Sequence, residues 1–306
     1  MTIIIITFNI VALFSQQTGY KYYEQSYISI PKTDSLYRVG EYLKSIEYNL
    51  ARIDSLGNFP KKLNYIIAQD YSLLGNEDSA FYYLNKYIDL GPQDYRSVFI
   101  DEDFELLKKN KKKWNNIITR IENIYLMELD SSMNKDLAIK LFRIEIEEQK
   151  IGFTMVSCRR KNLPTIKEKR KQNLMAQKEV NKIIKKYGFP TPSMVGQTAS
   201  DIVWDIIQHS LIEDKHYYMV RKAYENGDFR PEHYAFLTDR WLVQNGKKQI
   251  YGTQFSKKQN EPFLKLNEVE DFKNLNKRRE GMGLSPIEEY AKKINGHIPE
   301  EYYNEN

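Results

Sequence analysis

The stretch KKLNYIIAQDYSLLGNEDSAFYYLNKYIDLGPQD, residues 61–94, decides how the first half of the chain folds. It predicts one helix over about 60–74 and a second over about 77–90. Gly75-Asn76 supplies the turn between them, and the side chain of Asn76 is placed to cap the second helix. Gly91-Pro92 ends that helix, so the stretch predicts a helical hairpin.

The hairpin is 34 residues long, which is the period of a tetratricopeptide repeat. Small residues twelve positions apart would let the two helices approach closely. The positions that match the repeat are Ala68, Tyr71, Ala80, Leu84 and Pro92. The stretch therefore resembles one tetratricopeptide repeat, a resemblance that implies a helical array able to bind a peptide.

Flanking segments extend this tetratricopeptide-like helical domain over residues 20–125. Apolar residues at steps of three and four predict a preceding helix over 35–54, the remnant of a degenerate neighbouring unit. They are Leu36, Val39, Leu43, Ile46, Leu50 and Ile53. Further on, Phe104, Leu107 and Trp114 are expected to seal the last interface of the array. So short an array favours a structural cap packed on the second domain. The alternative is a groove for a protein or peptide partner.

Composition excludes several classes of protein. The chain has 306 residues, with 46 lysines and arginines against 41 acidic residues, a net charge of +5. Apolar residues make up 41% and charged residues 28%, which is typical of a folded protein. The single cysteine excludes an internal disulfide framework and a cysteine-built zinc site. After residue 14 no apolar run approaches the ~20 residues that span a bilayer, so no integral membrane segment is predicted.

The N-terminus carries an address signal. Residues 3–14, IIIITFNIVALF, have the length of a signal-peptide core and are too short to span a membrane. Ser15 offers a small residue at the cleavage position. Residues 1–15 are therefore predicted to be a signal peptide, and the chain is expected to be exported to the periplasm or cell envelope. The alternative is a buried strand, because four consecutive isoleucines favour β-structure.

A basic stretch joins the two halves. Residues 159–186 hold eleven lysines and arginines against two glutamates, which invites a nucleic-acid interpretation. The basic residues are dispersed, however, and no RNA-binding signature lies nearby. A solvated face of a long helix is the better interpretation, and no nucleic-acid partner is predicted.

The second half is predicted to be a helical domain over 126–296, with a tail at 297–306. Its clearest helix carries a stripe formed by Ala199, Ile202, Val203, Ile206 and Ile207. Asn245-Gly246 lies between two runs interpreted as extended, residues 239–244 and 247–254, and predicts a β-hairpin with a type I′ turn. The predicted fold class is mainly α: a short tetratricopeptide-like array followed by a helical α+β domain with one β-hairpin.

Several motifs follow one another in a specific order in this half. They are Tyr187-Gly188-Phe189-Pro190, Val195-Gly196, Gln208-His209, Tyr234-Ala235, Leu237, Asp239-Arg240, Gln249, Tyr251-Gly252-Thr253-Gln254, Arg278-Arg279, Gly283-Leu284 and Tyr290. In this order they resemble a bacterial family known as domain of unknown function 6624. The resemblance covers about 129–294, more than half of the chain, and implies a shared fold without a known reaction.

Polar residues within or beside these motifs form the candidate site. The ligand-binding candidates are Gln149, Gln208, Arg240, Tyr251, Thr253, Gln254 and Arg278, and the catalytic candidates are His209 and Asp239. Amides, a tyrosine hydroxyl and a guanidinium suit recognition of a peptide, glycan or carboxylate. The alternative is a hydrolase with His209 as general base, oriented by Asp205 or Asp239. No Gly-x-Ser-x-Gly elbow supports a nucleophile.

Two other interpretations of these residues remain. A metal could be held by His209, His216 and His233, but no His-Glu-x-x-His spacing supports it. The polar side chains could also merely satisfy backbone groups at helix ends and ribbon edges. No metal and no cofactor are predicted, and the oligomeric state stays open. The sequence thus predicts an exported protein- or ligand-binding module at the cell envelope, with the hydrolase as the alternative.

Overall fold

The computed structural model describes residues 31–56, 60–91, 95–156, 165–208, 212–257 and 263–305. Within these ranges the chain forms two compact units. One unit, which we call the repeat unit after the repeat predicted within it, holds residues 31–130 and 142–174, and the C-terminal unit holds 131–141 and 175–305. Helices dominate both units, which confirms the predicted mainly-α class. The predicted signal peptide, residues 1–15, lies outside the described residues.

The repeat unit contains the predicted helical hairpin. Its helices are α1 (Pro31–Arg38), α2 (Tyr42–Leu56), α3 (Pro60–Leu73), α4 (Glu77–Asp89), α5 (Arg96–Ile100), α6 (Glu105–Lys109) and α7 (Lys111–Leu126), with a 3₁₀ turn at Glu102–Phe104. The amide N–H of Ser79 donates to the side-chain oxygen of Asn76 over 3.1 Å, which confirms the predicted cap of α4. Ala68 and Ala80 are fully buried, as small residues between packed helices should be.

The helix predicted over 35–54 is interrupted. α1 ends at Arg38, where the N–H of Glu41 returns to the carbonyl of Leu36, and α2 begins at Tyr42. This break turns part of the predicted apolar stripe outward: Val39 is 70% and Leu43 62% exposed. Phe104, Leu107 and Trp114, which were expected to seal the last interface, are all buried.

Two long helices contribute to both units. α8 (Lys135–Val156) gives residues 135–141 to the C-terminal unit and the rest to the repeat unit. α9 (Ile166–Tyr187) gives residues 166–174 to the repeat unit and 175–187 to the C-terminal unit. No helix of the described ranges combines the length and the apolar character needed to cross a membrane.

The C-terminal unit combines short helices with a small sheet. Its further helices are α10 (Pro192–Val195), α11 (Gln197–Gln208), α12 (Asp214–Glu225), α13 (Pro231–Gln244), α14 (Leu275–Glu280), α15 (Ile287–Lys293) and α16 (Glu300–Glu305). The strands are β1 (Phe255–Ser256), β2 (Leu264–Leu266) and β3 (Gly296–His297). β1 pairs antiparallel with β2, and β2 pairs parallel with β3. Phe255 of β1, Leu275 and Ile287 are fully buried in the hydrophobic core that also includes Leu264 and Leu266 of β2.

The prediction of a β-hairpin around Asn245-Gly246 is wrong. Residues 239–244 are the last turns of α13, and Gly246 ends that helix with φ 68°. The N–H of Gly246 donates to the carbonyl of Val243, and that of Lys247 donates to the carbonyl of Leu242. This is the Schellman helix end, which demands the same positive φ as a type I′ turn. Asn-Gly therefore fits both structures, and the helical spacing before it decides.

Candidate functional site

An irregular segment of the C-terminal unit, residues 249–254, lies inside a shell of polar side chains. We call it the clamped loop. Asp239 on α13 is fully buried and supplies the acceptors on one side. Its carboxylate accepts the N–H groups of Ile250, Tyr251 and Thr253 at 2.8, 3.0 and 2.8 Å, and the hydroxyl of Thr253 at 2.9 Å. The loop thus presents its donors to a single carboxylate.

Arginines and a tyrosine take up the carbonyl groups on the other side. Nη1 of Arg279 donates to the carbonyls of Tyr251 at 2.7 Å and Gly252 at 3.3 Å, and its Nε donates to Ser285. Arg278 donates to the carbonyl of Ile250 over 2.9 Å. The hydroxyl of Tyr290 donates to the carbonyl of Thr253 over 3.4 Å. Every carbonyl from residue 250 to residue 253 therefore has a side-chain donor.

Gln249 closes the loop on itself. Its amide nitrogen donates to the carbonyls of Gln254 and Asn267 at 3.0 and 2.8 Å. Its amide oxygen accepts the N–H of Gln254 at 2.8 Å. A buried amide that satisfies three backbone groups fixes both ends of the loop, so the segment is held without regular secondary structure.

The backbone of the loop binds two buried side chains of opposite charge, Asp239 through its N–H groups and Arg279 through its carbonyls, and we call this pair the clamp. Burial raises the pKa of Asp239, and the hydrogen bonds from Tyr251, Thr253 and Ile250 oppose that rise. Burial lowers the pKa of Arg279, while nearby Tyr290 and Asp239 oppose that fall. Each charge is stabilised by peptide dipoles aimed at it. Because four donor groups occupy both oxygens of Asp239, the geometry assigns this carboxylate to holding the loop.

Gly252 is the tightest backbone position of the loop. It has φ 66°, and an added Cβ would lie 3.2 Å from a methyl of Ile287 and 3.4 Å from both methyls of Leu275. We expect Gly252→Ala to lower the free energy of unfolding by about 2–3 kcal/mol, measured by urea denaturation. Gly246→Ala is the control, since Gly246 has the same backbone conformation, φ 68°, in open space. Equal costs in both variants would contradict the packing contribution.

Arg240 occupies a different environment from its neighbour Asp239. It lies partly buried at the end of α11, where its guanidinium donates to the carbonyl of Gln208. Burial lowers its pKa to about 10, opposed by Tyr290, so it is a cation at neutral pH. Within the described ranges no carboxylate forms an ion pair with it. A desolvated cation without an anionic partner is uncommon in proteins.

A model of a family of unknown function, DUF6624, matches residues 136–298, slightly more than half of the chain. The chain belongs to this family. No curated protein and no solved structure matches it. The match includes the clamped loop, its shell and Arg240, so these features lie within the DUF6624 domain.

The DUF6624 domain brings most of the predicted site residues together. Tyr290 links the clamp to Arg240, since it interacts with Arg279, Arg240 and Asp239. The residues gathered here are Gln208, Asp239, Arg240, Tyr251, Thr253, Gln254 and Arg278. The prediction omitted three partners, Gln249, Arg279 and Tyr290, although all three stand in the motifs that resemble the family.

Two predicted residues are not among those gathered in the C-terminal unit. Gln149 lies on the part of α8 that belongs to the repeat unit, where it is half-buried. His209 lies outside the described residues, directly after Gln208. The carboxylate proposed to orient it, Asp205, accepts a hydrogen bond from the Gln208 side chain at 2.8 Å. The functional roles of Gln149 and His209 therefore stay predictions.

Two histidines of the DUF6624 domain are packed separately. The ring of His233 stacks on Trp204 at 3.8 Å, and its Nδ1 lies 3.2 Å from a carboxylate oxygen of Asp201. His216 is buried in the first turn of α12, and its Nε2 has no hydrogen-bond partner in the described ranges. Among the residues that the structure describes, no three histidine, cysteine or acidic side chains are arranged to hold a metal.

The buried ring of His216 predicts that the domain loses stability in acid. Burial lowers its pKa, with Glu213 opposing, so the folded chain binds the proton less readily than the unfolded chain does. Stability is then present above the unfolded pKa of ~6.5 and is lost as the pH falls through that value towards the folded one. We expect His216→Gln to lose less stability than the wild type between neutral and mildly acidic pH in urea denaturation. His297→Gln, at an exposed site, should behave as the wild type, and equal acid sensitivity in all three proteins would contradict this role.

Proposed function

We infer that the DUF6624 domain is a ligand-binding module in which Arg240 recognises a carboxylate. The observation that carries this inference is the partly buried guanidinium of Arg240, which has no carboxylate partner among the described residues. Its pKa stays high enough, at about 10, to keep the charge at neutral pH. A bound anion would neutralise it, and a guanidinium can donate two parallel hydrogen bonds to one carboxylate.

The contrast with Arg279 supports the assignment. Arg279 is more deeply buried, at 1% exposure, yet three backbone carbonyls accept its hydrogen bonds. Arg240 has one protein acceptor among the described residues, the carbonyl of Gln208. The first arginine is satisfied by the fold, whereas the second retains donors for a ligand.

In this proposal the clamped loop, which Tyr290 links to Arg240, forms one wall of the site. Its backbone is held by side chains on both sides, so the side chains of Tyr251 and Gln254 are carried in fixed positions. A site that is ordered before binding loses less conformational entropy when the ligand arrives. The half-buried ring of Tyr251 adds an apolar surface with a hydroxyl at its edge, whose pKa burial raises.

The proposed setting is the cell envelope. It rests on residues 1–15 as an export signal, and the N-terminus of the protein purified from cell envelopes would test it. The hairpin of α3 and α4, with buried Ala68 and Ala80 between its helices, supports the tetratricopeptide-like interpretation. In this proposal the repeat unit is a structural cap or a docking surface for a protein partner.

A binding experiment tests the role of Arg240. Succinate, citrate, a short peptide with a free C-terminal carboxylate and its amidated counterpart would each be titrated by calorimetry. We expect the carboxylates to bind the wild type and the amidated peptide to fail. Arg240→Gln should weaken carboxylate binding by about tenfold or more. Arg221→Gln is the matched control, because Arg221 is exposed and forms a helical ion pair with Glu225.

Further outcomes distinguish this inference from its alternatives. No carboxylate binding to the wild type, or equal binding to Arg240→Gln, would overturn the inference. The hydrolase hypothesis predicts turnover of carboxylic esters or amides that His209→Gln abolishes. Such turnover would replace a pure binding role with catalysis.

A further inference from the structure

A second concave surface lies on the C-terminal unit, between α9 and α12. It is a groove of about 940 Å³, at the upper end of the range for ligand sites. The lining residues that matter here are Met175, Lys178, Lys182, Lys185, Lys215 and Met219. None of them belongs to the clamped loop or its shell, so the groove is independent of the proposed carboxylate site.

The groove has an unbalanced positive charge. Four lysines line it against one glutamate, Glu179. Lys182 pairs with Glu179 at 2.6 Å, and Lys215 pairs with Glu213 at 2.7 Å. Lys178 and Lys185 form no ion pair with any residue that the structure describes. The ammonium groups of Lys178 and Lys185 are therefore available to pair with carboxylates of a partner molecule.

The distance between these two lysines matches a repeat of an α-helix. They are seven residues apart on α9, which is two turns or ~10 Å along the axis. A second helix lying in the groove would place acidic residues at the same interval. Matching charge intervals of this kind set partner choice in helix pairs.

Apolar side chains share the groove with the lysines. Met175 on α9 is 59% exposed, and Met219 lines the groove from α12. Flexible, polarisable methionines suit surfaces that pack against an apolar helix face. A purely electrostatic site would not need them.

We propose that this groove docks an acidic amphipathic helix of a partner protein. Its carboxylates pair with Lys178 and Lys185, and its apolar face packs against Met175 and Met219. The other occupants fit less well. A nucleic acid would favour arginines and stacking aromatics, which the groove does not use, and a flat membrane surface does not enter a concave one. The chain's own segments outside the described ranges hold just three acidic residues, Glu24, Asp94 and Glu261, each in a different segment, so none offers two carboxylates to the two lysines.

The test uses the full chain and a model peptide of three heptads. The peptide carries leucine at positions a and d, glutamate at e and g, alanine elsewhere, and a fluorescent label. We expect saturable binding by fluorescence anisotropy that weakens as salt is raised. Lys178→Glu/Lys185→Glu should weaken binding by about tenfold or more, and Met175→Ser by about threefold.

Matched controls keep charge and fold separate from docking. Lys222→Glu/Lys292→Glu makes the same change of charge at two exposed helical sites outside the groove, and should bind as the wild type does. Absence of peptide binding, or equal weakening by both pairs, would overturn the proposal. So would tighter binding of anionic phospholipid vesicles or of single-stranded DNA at the same two lysines. A binding site filled by a second copy of the chain would show as a dimer that the Lys178→Glu/Lys185→Glu variant dissociates, which also overturns it.

Discussion

Asp239→Asn is expected to lower the free energy of unfolding of the C-terminal unit by about 3–5 kcal/mol. The carboxylate is fully buried, and every group that faces it in the clamped loop is a donor. Asparagine keeps the shape but replaces one acceptor oxygen with an NH₂ group, which would point at a backbone N–H. The variant therefore leaves donors buried without acceptors, the most costly way to break such a network.

Tryptophan fluorescence measures this loss in the correct unit. Trp204 and Trp241 lie in the C-terminal unit and Trp114 in the repeat unit. In a Trp114→Phe background, urea denaturation followed by fluorescence reports the C-terminal unit alone. Asp136→Asn is the control, since the same chemical change there falls on an exposed helix surface. A loss below about 1 kcal/mol for Asp239→Asn, the level of an ordinary surface change, would show that the loop does not depend on its carboxylate.

Arg279→Met is expected to cost about 3 kcal/mol. Methionine fills much of the same volume but leaves the carbonyls of Tyr251, Gly252 and Ser285 without their donor. It also removes the stacking of the guanidinium over Tyr290, at 5.1 Å from the ring centroid. The same fluorescence assay measures it, with the exposed Arg221→Met as control.

Combining the two variants tests whether the clamp acts as a unit. Asp239 and Arg279 bind the donors and the acceptors of one short segment, so releasing either side disorders what the other side holds. We expect Asp239→Asn/Arg279→Met to cost less than the sum of the two single changes, by about 1 kcal/mol or more. Strict additivity would mean that the two side chains stabilise separate parts of the domain.

Local sequence signals predicted the helices better than the connections. Gly75-Asn76 marks a turn with a cap because the asparagine side chain bonds within its own helix, and α4 begins where it should. Asn245-Gly246 failed because a positive φ is shared by two different structures. The repeated burial of Tyr234, Leu237, Thr238 and Trp241 at helical intervals resolves the ambiguity once packing is known.

For the candidate site, the sequence predicts which polar residues lie together but does not predict what each of them binds. Asp239, Tyr251, Thr253, Gln254 and Arg278 were predicted together and lie together. Their individual roles could not be read from the sequence, because a polar side chain looks the same whether it faces a ligand or the backbone. Arg278 and Arg279 are adjacent in the chain, and only the path of the loop shows that Arg279 donates to three backbone carbonyls.

The sharing of α8 and α9 between the two units has a consequence during protein synthesis. The repeat unit is incomplete until residue 174 has left the ribosome, because it needs residues 142–174. The C-terminal unit begins with 131–141 and also needs residues 175–305, which are synthesised after the repeat unit. Neither half can finish folding and be released as a separate piece before the other has started. Cutting the gene at residue 130 would leave the repeat unit without residues 142–174, and cutting it at residue 175 would leave the C-terminal unit without residues 131–141. No single cut therefore yields two complete units, so the two units are expected to be inherited together.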